Sequence, residues 1–458
     1  MQHKNVTKIV SLIARSVTKI VSLRKIYIGE QYIKHMKRED LYYVLFEQQN
    51  KLNEKTEFVN REITEKVLSF FHLKLPIVIT GIRRAGKSTL LNIIKNKLNL
   101  KEKEYFYIDF NDERLVNFSI EDFQKILDFM DEQSYAKDCY FFIDEIQEVI
   151  GWEKWIDRIK GKFNIFITGS NSKLLSKEIS TILTGRSINV ILYPFSFREF
   201  LDAKKINLKD WKLDTKVQSQ LRKSFSEFAS LGGIPKVIID NDKRLLQENY
   251  ENILYRDIVK RFNKNIEKSI KEVSVFLLSN VSKELSIRSL SKIVNIKNLS
   301  TLKTILDMFE KAFVFFFISK YNFSVKKQIQ NPRKVYCIDS GFINEMGFKF
   351  SENKGWILEN IVFLELKRKG DEIYYFSEKK ECDFLIRKGA KIKAAIQVCY
   401  NINEENRDRE VNGLIEAMNK FGLMEGLILT YDHEEQIIEK GKKIIIKPVW
   451  KWLLESNI

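Results

Sequence analysis

One short segment of the sequence combines glycines, a lysine and a serine at the spacing of a phosphate-binding loop. It runs Gly81-Ile82-Arg83-Arg84-Ala85-Gly86-Lys87-Ser88, and Thr89 follows. Phosphate is held by backbone N–H groups that converge on it, and glycines let a loop curl closely enough to present them. In this pattern the lysine reaches the β- and γ-phosphates, and the serine ligates Mg²⁺. We therefore predict that residues 81–89 bind a nucleotide, with Lys87 on its phosphates and Ser88 on the metal.

An acidic pair follows an apolar run further along the chain, in Tyr140-Phe141-Phe142-Ile143-Asp144-Glu145. A strand that ends in two carboxylates can place one in the Mg²⁺ shell and let the other polarise the attacking water. Asp144 is our candidate metal ligand, beside Ser88, and Glu145 is our candidate catalytic base. The sequence has no Asn-Lys-x-Asp motif of the kind that reads guanine, so we expect ATP and Mg²⁺ rather than GTP.

Two further polar positions lie close to predicted strands. Gly169-Ser170-Asn171 follows the run Phe163–Thr168, and a polar side chain there can touch the γ-phosphate or the water. Ser170 is the first choice and Asn171 the second, while a simple turn explains the segment nearly as well. Arg186 precedes another strand and can stabilise developing charge in its own subunit or on a neighbour's ATP, a contribution of roughly 10³–10⁵ in rate. An ordinary surface arginine is the alternative interpretation.

Strands alternate with helices around these candidate residues. The sequence predicts five apolar strands, at Pro76–Thr80, Tyr105–Phe110, Tyr140–Ile143, Phe163–Thr168 and Ser187–Leu192. Helices are predicted directly after the phosphate loop, at Lys87–Lys97, and again at Gly151–Gly161. Because such alternation is typical of βαβ units, we expect an α/β fold with a parallel sheet. Leu201–Lys268 is predicted to be mostly helical, with a break at Gly232-Gly233-Ile234-Pro235.

The composition sets the class of protein. The 458 residues predict about three domains, and a hydrophobic share of 44% excludes a wholly disordered chain. Lys and Arg (78) exceed Asp and Glu (61), which gives a formal net charge of +17. This excess of positive charge indicates nucleic acid or acidic membrane as a partner. A soluble, Lys-rich intracellular protein without such a partner is the alternative. No apolar run is long enough to span a membrane. No CxxC spacing links the four cysteines, Cys139, Cys337, Cys382 and Cys399. This disfavours a disulfide framework or a zinc site and predicts a protein of the reducing cytoplasm.

The first residues contain a short duplication. The heptapeptide Val6–Leu12 is repeated as Val17–Leu23, and its apolar residues fit a helical stripe. A membrane-surface helix is one interpretation. We expect instead that residues 1–35 lie outside the main fold, or that translation starts at Met36.

A segment in the middle of the chain has the order of a winged helix. Two predicted helices, Ser286–Val294 and Ser300–Phe309, precede two predicted strands, Phe313–Ser319 and Lys334–Ile338. The connection Lys320–Arg333 carries Lys326, Lys327 and Arg333, so the hairpin would have a basic tip. We predict that the cations of the tip, together with Lys297 and Lys303, contact DNA phosphates. A domain that binds protein partners is the alternative.

These segments together resemble a known family. The set GIRRAGKST, FFIDEIQEV, FITGSNSKLL, LTGR and YPFSFREF, with LGGIP and YRDIVKR, is similar to archaeal-type AAA-superfamily P-loop ATPases. Those proteins carry a C-terminal domain of unknown function that resembles the restriction-endonuclease fold. The likeness runs from about Met36 to the end of the chain. It implies a P-loop core with a helical lead-in (36–200), a helical lid (201–268), a winged-helix domain (269–345) and a nuclease-like α/β domain (346–458).

The last domain departs from the nuclease pattern that the resemblance implies. Such nucleases place a Glu on a helix, an Asp at the start of a strand, and Glu-x-Lys on the next strand. This chain offers Glu359 and Asp383, but Gln397 replaces the second acid and Cys399 replaces the lysine. Gln brings no charge, and Mg²⁺ prefers anionic oxygens. We therefore expect a vestigial site at Glu359, Asp383 and Gln397, with weak or absent cleavage.

The function that we predict is a cytoplasmic ATPase switch. ATP binding between core and lid would change how the winged-helix and C-terminal domains sit on a partner, with DNA the first candidate. An ATP-gated metal-dependent nuclease and an ATPase scaffold for protein partners are the alternatives. Arg186 acting on a neighbour's ATP would imply a homo-oligomer.

Overall fold

A computed structural model describes residues 36–52, 57–169, 187–262, 266–347 and 354–455. The predicted extension 1–35 and the candidate residues Ser170, Asn171 and Arg186 lie outside the described residues. None of the described helices is both long and apolar enough to cross a membrane.

A five-stranded parallel sheet forms the first domain. Its strands are β1 (Ile77–Thr80), β2 (Tyr105–Asp109), β3 (Tyr140–Asp144), β4 (Asn164–Gly169) and β5 (Ile188–Ile191). They lie in the order β2-β3-β4-β1-β5, and every pair is parallel. All four residues of β1 are buried, as expected for a strand covered on both faces. The predicted α/β core with a parallel sheet is confirmed.

Helices cover the sheet on both sides. They are α1 (Arg38–Leu52), α2 (Ile63–Ser69), α3 (Lys87–Lys97), α4 (Phe123–Glu132) and α5 (Trp152–Ile159). Because successive strand residues point to opposite faces, Ile77 and Ile79 join one apolar cluster while Val78 joins the other. Because all the strands are parallel, the carboxyl ends of β1, β3 and β4 lie at the same edge of the sheet.

The next helices form what we call the lid, residues 197–261. They are α6 (Phe197–Ala203), α7 (Thr215–Leu231), α8 (Pro235–Ile239) and α9 (Arg244–Ile253), continued by a π-helical turn (Leu254–Ile258) and a 3₁₀ turn (Val259–Arg261). A capping box of Ser196 and Glu199 begins α6. The predicted break in this helical region is present, since α7 ends at Leu231 and α8 begins with Pro235.

The middle unit, residues 267–346, contains a small antiparallel sheet ordered β6-β8-β7. Its elements are α10 (Glu267–Ser279), β6 (Glu284–Leu285), α11 (Ile287–Ile293), α12 (Leu299–Lys311), β7 (Phe315–Ser319), α13 (Val325–Gln330), β8 (Arg333–Cys337) and α14 (Ser340–Met346). The predicted order of two helices and a hairpin is present, while the winged-helix assignment stays a prediction. The expected basic loop at the tip instead contains the short helix α13, and Pro332 lies just beyond its end.

A six-stranded mixed sheet forms the C-terminal domain, residues 354–455. Its order is β13-β14-β12-β11-β10-β9. The elements are α15 (Lys354–Arg368), β9 (Glu372–Ser377), β10 (Glu381–Lys388), β11 (Lys391–Val398), α16 (Glu404–Phe421), β12 (Glu425–Thr430), β13 (Glu435–Glu439), β14 (Lys442–Pro448) and α17 (Val449–Glu455). The nuclease-like assignment of this α/β domain stays a prediction.

Candidate functional site

The predicted phosphate loop connects β1 to α3 and depends on two glycines. Gly81 has φ 151°, and a Cβ there would lie 2.2 Å from the carbonyl oxygen of Leu192. Gly86 has φ 92°, a backbone conformation that L side chains rarely adopt, and ends the loop directly before Lys87. Both positions therefore require glycine, and the first turn of α3 presents its free N–H groups to the loop.

Lys87 is buried inside the loop. Its Nζ donates to the carbonyl oxygens of Gly81 at 3.2 Å and Ile82 at 3.3 Å, and lies 3.8 Å from a carboxylate oxygen of Glu145. Burial lowers the pKa of Lys87, and the charges of Glu145 and Asp144 oppose that shift. A phosphate would offer this ammonium stronger acceptors than backbone carbonyls.

Asp144, at the end of β3, is buried among hydroxyl groups. It accepts hydrogen bonds from Ser88 and Thr168, and from the Tyr107 hydroxyl at 3.1 Å. Burial raises the pKa of Asp144, and the hydrogen bonds from Ser88 and Thr168 oppose that rise. A buried carboxylate is costly without a cation or strong donors. The adjacent Ser88 and Asp144 oxygens are hard ligands of the kind that Mg²⁺ prefers.

Glu145 lies on the turn after β3. Its φ is 49°, in the left-handed region, and its backbone N–H donates to the Thr168 hydroxyl at 3.2 Å. Its side chain is 17% exposed and faces Lys87. The carboxylate therefore stays accessible beside the loop, where a water could reach it.

Three polar residues around Asp144 were not found by sequence reasoning. Thr168 is the last residue before Gly169 in β4, although the prediction favoured Ser170 two positions later. Tyr107 and Asp109 belong to β2, and Asp109 pairs in register with Asp144. The signal that could have found them is the rule that polar residues at the carboxyl ends of neighbouring parallel strands converge.

Asp109 adds a third acidic group, after Asp144 and Glu145, to this edge of the sheet. Burial and the nearby charge of Asp144 together raise the pKa of Asp109 to about 7. The backbone N–H of Asn111 donates to its carboxylate at 2.8 Å and opposes that rise. Asp109 is thus partly protonated near neutral pH, and a cation beside Asp144 would favour its charged form.

Arg61 supports the phosphate loop from behind. Its guanidinium donates to the carbonyl oxygens of Ala85 at 2.8 Å and Tyr193 at 2.7 Å. It also lies 3.0 Å from a carboxylate oxygen of Glu199. Because the charge is buried and paired, Arg61 fixes the loop to the start of the lid.

The two arginines of the loop contact the lid. Arg83 donates to both oxygens of Asp257, with its Nη2 at 3.1 Å and its Nε at 3.3 Å. Arg84 lies 2.9 Å from Glu248 on α9. The first pair is the better protected one, since Asp257 is 5% exposed and Glu248 is 54% exposed. The phosphate loop is therefore held by lid residues.

The three candidate residues of the C-terminal domain are also close together. Gln397 accepts the backbone N–H of Asp383 at 3.2 Å, and both Asp383 and Glu359 contact Lys334 of the middle unit. The described residues contain no group of three His, Cys, Asp or Glu side chains arranged to hold a metal ion. Cys399, which the resemblance predicts in the position of the nuclease lysine, lies in an apolar cluster, and burial raises the pKa of its thiol.

Comparisons with known proteins identify the core. A family model described as an AAA domain matches residues 73–201, and a domain of unknown function (DUF8612) matches residues 222–353. The chain is 37% identical over 420 residues to an uncharacterised protein of Methanocaldococcus jannaschii, covering 87% of this chain and 92% of that protein. The chain belongs to this family of AAA-domain proteins. The family also includes a bacterial relative, an uncharacterised protein of Haemophilus influenzae, at 31% identity over 82% of this chain and 94% of that protein.

Solved structures are similar at a lower level. The Walker-type ATPase of Pyrococcus abyssi has a TM-score of 0.42 and 15% identity, over 64% of this chain and 98% of that one. AMPPCP-bound DnaA from Aquifex aeolicus has a TM-score of 0.25 and 16% identity, over 56% and 90% of the two chains. The assignment of this AAA-family core as an ATP-binding P-loop domain rests on the family match and on the loop itself.

Proposed function

We propose that this AAA-family protein hydrolyses ATP and works as a nucleotide-driven switch. Lys87 and the N–H groups of residues 81–89 would bind the phosphates, and Ser88 and Asp144 would hold Mg²⁺. When bound, the ion neutralises phosphate charge and orients the β- and γ-phosphates. Glu145, the accessible carboxylate of the pair, would polarise the attacking water.

The pair between Arg83 and Asp257 is the observation that carries the switch. Arg83 belongs to the phosphate loop, and Asp257 belongs to the π-helical turn at the end of the lid. Phosphate oxygens and a carboxylate compete for the same guanidinium N–H groups. ATP binding would therefore loosen the lid at this point, and phosphate release would restore the contact.

The lid is well placed to pass such a change to the rest of the chain. Helix α7 of the lid packs against α14 of the middle unit, and Asn344 donates to backbone carbonyls of Ala229 and Ser230. Asp339 accepts the backbone N–H of Gly233 at 2.6 Å. The proposed partner of the middle unit is DNA, bound through the basic residues at the hairpin tip.

ATP turnover with and without duplex DNA tests this function. We expect the wild-type protein to hydrolyse ATP, the Lys87→Ala variant to lose ATP binding, and the Glu145→Gln variant to bind ATP but turn it over at least about a hundredfold more slowly. Lys97→Ala is the matched control, because Lys97 is an exposed lysine of the same helix. Turnover in Lys87→Ala equal to that of the wild type would refute the ATPase assignment.

A further inference from the structure

Lys334 of β8 reaches into the polar centre of the C-terminal domain. Its side chain is 2% exposed. The Nζ lies 2.8 Å from Asp383, 3.1 Å from Glu359 and 2.5 Å from Glu381. The ammonium, which has three N–H donors and no acceptor, donates to Asp383 and Glu359, and the Glu381 carboxylate lies within ion-pair distance.

The other polar groups of this centre also have protein partners. The Tyr336 hydroxyl donates to Glu359 at 2.7 Å, and the second oxygen of Asp383 accepts the backbone N–H of Val398 at 2.9 Å. Gln397 uses its carbonyl oxygen on the backbone N–H of Asp383 and donates its amide to Glu410 at 2.7 Å. Each of the three side chains that the nuclease pattern would offer to a metal ion is thus already engaged by protein groups.

The charges explain why the centre needs a cation. Burial and the charge of Asp383 raise the pKa of Glu359, while Lys334 and Tyr336 oppose that rise. Burial alone would lower the pKa of Lys334, but Asp383 and Glu359 raise it well above its ordinary value. The ammonium therefore stays charged at every physiological pH. Buried carboxylates are otherwise stable only when they are paired or bind a metal.

The surrounding contacts join β8 to α15. The amide of Asn360 accepts the backbone N–H of Cys337 at 2.8 Å and donates to its carbonyl oxygen at 2.9 Å. The rings of Tyr336 and Phe363 stack with centroids 4.1 Å apart. Lys334 and Tyr336 are two residues apart on one strand and so share a face. The ammonium is thus held in place by a packed interface and not by a flexible surface loop.

We infer that Lys334 takes the place of a metal ion in this centre and makes it an ionic joint between the middle unit and the C-terminal domain. The residues present do not fit a metal-dependent nuclease. The donors of Lys334 occupy the space between Glu359 and Asp383, and Gln397 is bound to Glu410. A motion of the hairpin would therefore move the C-terminal domain with it.

Substitution of the ammonium tests the joint. In Lys334→Met the carboxylates lose their cation, and we expect the melting temperature to fall by roughly 5–10 °C. The double variant Lys334→Met/Asp383→Asn removes one of the uncompensated charges and should recover part of that loss. Lys443→Met is the matched control, since its pair with Glu425 is exposed on β14 and should cost little. An unchanged melting temperature in Lys334→Met would overturn the inference.

Metal binding gives a second test, which does not require the Lys334→Met variant to fold. Titration with Mn²⁺, followed by electron paramagnetic resonance without nucleotide, should show no Asp383-dependent site in the wild type. Supercoiled plasmid should also stay intact in Mg²⁺ or Mn²⁺. An Mn²⁺ site or plasmid cleavage that disappears in Asp383→Asn would overturn the inference. The joint does not depend on ATP use, and binding of a fluorescent ATP analogue should be unchanged in Asp383→Asn.

Discussion

Thr168 at the end of β4 donates its hydroxyl to the carboxylate of Asp144 at the end of β3. The same oxygen accepts the backbone N–H of Glu145 at 3.2 Å. A single hydroxyl therefore orients both members of the acidic pair. It links the strand beside β1 to the proposed metal ligand and the proposed base.

Removal of this hydroxyl should slow hydrolysis more than it weakens ATP binding. In Thr168→Val the shape is kept, but Asp144 loses a donor and the turn at Glu145 loses its acceptor. A hydrogen bond to a charged group contributes about 1.5–3 kcal/mol, so turnover should fall by about 10- to 100-fold. Steady-state turnover and equilibrium binding of ATP separate the two effects.

Thr80→Val is the control for that experiment. Thr80 is equally buried at the end of β1, and its hydroxyl donates to the carbonyl oxygen of Val190 at 3.4 Å and not to the acidic pair. We expect its turnover to stay within about threefold of the wild type, as a single weak neutral hydrogen bond implies. Equal losses in both variants would show that Thr168 acts only through stability.

The contact between Arg83 and Asp257 should restrain the phosphate loop. In Asp257→Asn the competing charge is lost, so ATP should bind about five- to tenfold more tightly, which corresponds to roughly 1–1.4 kcal/mol. The change in protease protection of the lid on adding ATP should shrink in the same variant. Fluorescent-nucleotide titration and limited proteolysis measure the two results.

Glu248→Gln provides the comparison, because it removes the exposed partner of Arg84. Exposed ion pairs contribute little, so its affinity for ATP should change by less than about threefold. If ATP bound tenfold more weakly to Asp257→Asn, the pair would organise the loop for binding and would not compete with phosphate.

The sequence predicted the local parts of this site and missed the parts that depend on strand order. Lys87–Lys97 was predicted with its observed bounds, because the glycine before it and the apolar pattern within it are local features. Thr168 was missed because its neighbours follow from the order β2-β3-β4, which no local pattern reveals. Asp257 is 174 residues from Arg83, and Lys334 is 49 residues from Asp383. Contacts at such separations arise from packing between domains.

Loss of the Asp109 proton should make the nucleotide-free protein less stable as the pH rises. Because its pKa in the folded state is about 7, above an ordinary value near 4, the stabilisation is complete below pH 4 and is lost as the pH rises through 7. The melting temperature without Mg²⁺ should therefore fall between pH 6 and pH 8. Asp109→Asn should remove that part of the decrease.

Asp112→Asn is the control for the pH experiment. Hydrogen bonds from Arg114 lower the pKa of Asp112 to about 2, so it stays charged throughout this range. The slope between pH 6 and pH 8 should match the wild type in Asp112→Asn, whatever the change in absolute stability. A wild-type slope in Asp109→Asn would contradict the assignment of the titration to Asp109.

The hairpin tip should bind duplex DNA in a salt-dependent way. Lys326 and Lys327 are exposed on α13, and Arg333 is exposed at the start of β8. If each contacts one phosphate, the Lys326→Ala/Lys327→Ala/Arg333→Ala variant should lower the slope of log affinity against log salt by about 2.7. Fluorescence anisotropy with a labelled duplex at several salt concentrations measures this slope.

A variant of equal charge change separates local contact from net charge. Lys154, Arg158 and Lys162 are exposed on or near α5 of the core, and their triple alanine variant also removes two lysines and one arginine. DNA affinity in that variant should stay within about threefold of the wild type, because its cations lie on another surface. Equal losses in the two variants would indicate attraction by overall charge.

Binding that is unchanged in the tip variant would favour a protein partner, since helix α12 beside the tip presents Asp307 and Glu310 together with Lys303 and Lys311.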